Sequence, residues 1–99
     1  MSGFNRIILH RKGAYAMFRS LRIFVDGVEL GKLKNRNQLI LDVPVDAFEL
    51  YGAMDWSETP RFNLEGISSG DEILFRGRFT FNRSEQLGLP HLPFVISKL

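Results

Sequence analysis

Gly66-Ile67-Ser68-Ser69-Gly70 has the Gly-x-Ser-x-Gly spacing of a nucleophile elbow. That device needs a strand turning sharply into a helix, so that a strained serine stands above a parallel sheet. The residues after Gly70 alternate as a strand instead, and a polar turn between strands accounts for the same Gly, Ser and Gly. Carboxylates gather at Glu49, Asp55, Glu58 and Glu65. A pair held about 5–9 Å apart would suit glycoside hydrolysis, but only in a desolvated cleft that a small sandwich rarely has. The two histidines, His10 and His91, have no metal-ligand spacing. The absence of cysteine removes disulfides, thiolate zinc sites, iron–sulfur clusters and cysteine nucleophiles. These residues point away from an enzyme, with no metal, no cofactor and no evident small-molecule substrate.

Side chains suited to binding carry more weight. Arg22 and Phe24 share the polar side of one alternating segment, and Arg76 and Arg78 share that of another. Arg6, Arg11 and Lys12 add to a basic N-terminal stretch with no acid before residue 23. Together, Arg6, Arg11, Lys12, Arg22, Phe24, Arg76 and Arg78 form the expected partner surface. Cations interleaved with an aromatic ring suit phosphate contacts plus stacking. Acids dominate residues 42–75, so the same segments also neutralise one another if they are neighbours in a sheet. With a net charge of only +2, the expected function is a non-catalytic structural or protein-interaction module. Its partner would be another protein or a second copy of the chain. Nucleic-acid or other polyanion binding is the alternative. Asp55-Trp56 reads as a capped corner, or, with Tyr51, as a platform for a planar ligand.

The elements that hold these side chains are strands. Leu21, Ile23 and Val25 alternate on one face and run into Asp26-Gly27, the pair that a type I′ hairpin turn favours. Val28–Leu33 is the return strand. Lys34–Asn37 is a polar turn, and Leu39, Leu41 and Val43 alternate until Pro44 ends the ladder. Phe48, Leu50 and Met54 recur at even spacing, which predicts a strand; Asp46 and Glu49 also fit a capped helix start that Gly52 weakens. Asp71–Asn82 reads as a long strand with Ile73, Phe75 and Phe79 inward, and Gly77 marks a bulge or a close backbone approach. The fold class is therefore all-β: a small antiparallel β-sandwich of about seven or eight short strands.

The 99 residues make one domain, and 44% hydrophobic with 24% charged is globular composition. Residues 1–82 are the sandwich, and residues 83–99 are an apolar C-terminal extension packing on the same domain. Pro90 and Pro93 keep that extension from being a regular helix. No apolar run is long enough to span a membrane, and no secretory segment follows Met1, so the expected location is cytoplasmic.

The order of Arg22-Ile23-Phe24-Val25-Asp26-Gly27, Leu30-Gly31-Lys32-Leu33, Pro44, Asp55-Trp56 and Thr59-Pro60 resembles a group of small bacterial β-sandwich domains. Their pattern is V-x-[IV]-D-G, then P-x-G-x-H, then D-W-x-x-S. The layout is similar, more loosely, to the PEGA domain. The resemblance spans roughly residues 6–81 and implies a sandwich serving as a surface or interaction module. Asp46, Phe48 and Thr59 stand where the pattern has glycine, histidine and serine.

Overall fold

A computed structural model describes residues 3–13, 16, 18–55, 57–77 and 92–99. Among the described residues nine strands fall in the order β1 (Phe4–Gly13), β2 (Leu21–Val25), β3 (Val28–Leu33), β4 (Gln38–Pro44), β5 (Glu49–Met54), β6 (Ser57–Glu58), β7 (Phe62–Asn63), β8 (Glu72–Gly77) and β9 (Phe94–Lys98). They form two sheets. Sheet A runs β4-β1-β8-β9, and sheet B runs β3-β2-β5-β6 with β7 also on β5. Every pairing is antiparallel except β1 with β8, which is parallel from Ile8 opposite Glu72 to Gly13 opposite Gly77.

Alternation puts one side of each sheet into a shared core. Ile7, Leu9, Leu41, Val43, Ile73, Phe75 and Phe94 come from sheet A, and Leu21, Ile23, Val25, Leu33, Leu50 and Met54 from sheet B. The two sets make a single apolar cluster, which joins the sheets face to face. Leu39 is only partly buried against that cluster, and Phe79 lies outside the described residues. No helix among the described residues is long and apolar enough to cross a membrane.

Local chemistry sets the corners. Asp26 and Gly27 both have positive φ (49° and 83°), as a two-residue I′ hairpin requires. The Asp26 carboxylate then accepts from the backbone N–H groups of Phe48 and Glu49, at 2.9–3.2 Å, which ties the hairpin to the start of β5. This hold comes before the strand begins, so Phe48 is 63% exposed and does not join Leu50 and Met54 inside. Gly13 and Gly77 pass too close for a side chain: a Cβ on Gly13 would strike the Gly77 carbonyl. The close approach expected at Gly77 is thus to β1.

The last residues of the chain belong to this frame. β9 pairs with β8 from Ile73 opposite Lys98 to Gly77 opposite Phe94, and Leu92 and Phe94 are core residues.

Candidate binding surface

On the outside of sheet B, Phe24 of β2 faces Tyr51 of β5 across the antiparallel pair. Their rings stack with centroids 5.2 Å apart and planes 4° from parallel. The Arg22 guanidinium caps one side, 5.4 Å from the Phe24 centroid, and Arg61 caps the other, 3.8 Å from the Tyr51 centroid. Both cations are also engaged by acceptors. Arg22 meets Glu29 at 3.6 Å and donates to the Asp55 carbonyl, while Arg61 donates to Glu49 at 2.8 Å and Glu58 at 3.0 Å. Tyr51 is only 6% exposed. This face is a closed ladder of cation, ring, ring and cation, not an open platform.

The outside of sheet A is arranged differently. At one end of β1, Arg6 grips Asp42 of β4 through two hydrogen bonds, at 3.0 and 3.3 Å. That hydrogen bonding, with the arginine's charge, holds the Asp42 carboxyl below its usual range. In mid-strand His10 Nε2 lies 2.7 Å from Glu72 Oε1. At the far end Lys12 stands directly opposite Arg76. No carboxylate among the described residues lies within ion-pair distance of either.

Beyond Lys12, beside the β3–β4 turn, lies an open hollow of about 860 Å³, lined among the described residues by His10, Arg11, Lys12, Gly13, Arg36, Asn37 and Gln38. A second hollow of about 340 Å³ shares Asn37 and adds Phe18, Arg19, Ser20, Lys34 and Asn35. Lys34 and Arg36 likewise have no carboxylate partner among the described residues. Phe18 is 99% exposed. Lys12, Lys34, Arg36 and Arg76 therefore share one end of the sandwich, beside an aromatic ring.

Arg11 is not on a surface, contrary to expectation. It is 1% exposed and lies among the largest buried side chains. Its guanidinium donates to the carbonyls of Arg19, Leu33 and Ala16 at 2.6–2.9 Å and sits 5.4 Å from the Phe94 ring centroid. Burial draws its pKa down from the usual arginine range. The cause is parity: Ile7, Leu9 and Arg11 occupy alternate positions of β1, so the guanidinium points inward with the two apolar side chains. There it fastens β1 to β3 and to the segment ahead of β2.

The expected surface is thus divided. Lys12 and Arg76 come together, and Arg6 shares their sheet face but pairs with Asp42. Arg22 and Phe24 belong to the other sheet, and Arg78 lies outside the described residues, as does Trp56. Lys34, Arg36 and Phe18 were absent from the expected set. The signal for the first two was two cations within the turn Lys34-Asn35-Arg36-Asn37, which strand alternation does not locate.

Ser68, Glu49, Glu58 and Asp55, read for catalysis, have structural partners. The Ser68 N–H donates to Asp71 at 2.8 Å within the turn before β8, and Glu49 and Glu58 share Arg61. Asp55 pairs with Arg19, whose hydrogen bond and charge keep that carboxyl below its usual range. Compared with models of known families, with curated proteins and with solved structures, the chain matches none.

Proposed function

We propose that the chain is a non-catalytic binding module that holds an extended polyanion at its basic end. The observation that carries this reading is Lys12 set against Arg76, with Lys34 and Arg36 across the adjoining hollows and, among the described residues, no carboxylate paired to any of the four. Like charges placed opposite one another cost stability, and an anionic ligand reverses that cost. Phe18 supplies a face on which a base stacks, so single-stranded nucleic acid uses the site most fully.

The test is fluorescence anisotropy with a labelled single-stranded oligonucleotide, a sulfated polysaccharide and an acidic peptide, each across a salt series. The oligonucleotide should bind tightest, with log affinity falling by about 0.7 per phosphate neutralised for each unit of log salt. Lys12→Glu with Arg76→Glu should abolish binding while the melting temperature holds. Arg22→Ala, within the ladder on sheet B, should leave the salt slope unchanged. Absence of binding to all three probes at low salt would refute the reading. Tightest binding to the acidic peptide would move it to a protein partner.

A further inference from the structure

A strand at the edge of a sheet offers unpaired N–H and C=O groups to any other strand, and proteins usually blunt such edges. Three of the edges here are blunted. β3 carries Glu29 and Lys32 and faces a register shift between Ile23 and Phe24. β6 and β7 are two residues each. β9 ends in Lys98, which is tied to Asp71. β4 has fewer of these devices: its one charge, Asp42, is tied to Arg6 of its own sheet. Its seven residues pair with β1 in unbroken register, from Phe4 opposite Pro44 to His10 opposite Gln38. It contains no lysine, and its proline is the last residue. Among the described residues β4 is paired on one side only.

We propose that β4 pairs antiparallel with β4 of a second copy, about a two-fold axis through Ile40, so that the two A sheets become one continuous sheet. The side chains of β4 suit this arrangement. Gln38, Ile40 and Asp42 face outward from sheet A, and Ile40 is 53% exposed. With Ile40 on the axis, each Ile40 meets its symmetry mate, and each Gln38 amide meets Asp42 of the second copy. No charge then faces its like. The ends of the strand agree as well. β4 starts just after Lys34 and Arg36 and is followed by Asp46, so antiparallel pairing lays the basic turn of one copy along the acidic end of the other, and the dimer competes with an anion for Lys34 and Arg36 while leaving Lys12 and Arg76 to it. A parallel arrangement would set like beside like. An isologous contact of this kind closes on itself and gives a dimer, not a filament.

The experiment is sedimentation velocity over a concentration series for the wild type, Ile40→Lys, Ile40→Glu and an equal mixture of the two variants. The wild type should show a concentration-dependent dimer. Each variant alone should weaken it by about tenfold or more, because identical charges then face each other across the axis. The mixture should regain the dimer, since lysine then faces glutamate. Melting temperatures near the wild-type value establish that both variants fold, as expected for an exposed position. Leu30→Lys on β3 should leave the dimer unchanged. A wild type that stays monomeric throughout would overturn the proposal. So would a dimer indifferent to both Ile40 variants, or a mixture no stronger than its components.

Discussion

Outside sheet B, Arg22 and Arg61 lie over aromatic rings and also reach Glu29, Glu49 and Glu58, so each cation is engaged on two sides. Outside sheet A, Lys12 and Arg76 lie side by side with no such partners among the described residues. Side chains of the same chemical type thus do opposite work. Where a cation has a ring and a carboxylate, its field is spent within the molecule and its contribution is to packing. Where it has neither, its field reaches solvent. Charge type alone does not mark a binding surface; the local inventory of counter-charges does.

The largest effect should come from the cation that belongs to neither face. Arg11→Ala strands the carbonyls of Ala16, Arg19 and Leu33 and empties the space under Phe94. Leaving a buried carbonyl unpaired costs about 1–3 kcal/mol, and three of them with the lost packing amount to a large share of a small domain's stability. Thermal denaturation should show a much lower midpoint or no cooperative transition. An unchanged midpoint would place Arg11 among the surface cations after all.

The two faces themselves separate next. Tyr51→Ala removes a buried ring from the ladder and should cost about 2–4 kcal/mol in urea denaturation. Arg76→Ala should cost almost nothing, or stabilise slightly by relieving Lys12, while weakening oligonucleotide binding. Equal losses of stability at the two positions would erase the contrast.

The smallest effect is a pH dependence. Asp71 is held below its usual range by the Ser68 N–H and by Lys98, Asp42 by Arg6 and Asp55 by Arg19. Each carboxyl therefore gives up its proton more readily in the folded chain than in the unfolded one. Their support is fully present above the usual carboxylate range and disappears as pH falls through the folded-state values. Asp42 and Asp55 are solvent-exposed and Asp71 is half-buried, so screening keeps the effect modest. Melting temperature measured from neutral to acid pH should decline through that range, and Asp71→Asn should flatten the decline slightly. An identical slope in the variant would remove Asp71 from the account.

What the sequence made legible was local. Alternation at Leu21, Ile23 and Val25 and the Asp26-Gly27 turn specify a hairpin within one short window. Which sheet each strand joins is not a local property. Arg22 and Arg76 both alternate with apolar neighbours, and nothing within either segment says that they face opposite sides of the sandwich. Arg11 differs, because its inward position was readable from the parity of Ile7 and Leu9; its charge overrode that signal. Lys34 and Arg36 lie in a turn, where parity has no meaning, and only their neighbours in space give them a role.

The parallel pairing of β1 with β8 bears on the order in which the chain folds. The β2–β3 hairpin and the β5–β6 pair join residues close in sequence and form as soon as those residues are available. β1 gains β4 from residues 38–44, but its other side stays unpaired until residues 72–77 arrive. On a ribosome β1 therefore waits for β8, with Ile7 and Leu9 left without their β8 neighbours in the meantime. The β1–β8 pairing is thus a non-local step of the fold, and a chain interrupted before β8 leaves β1 open to other nascent chains.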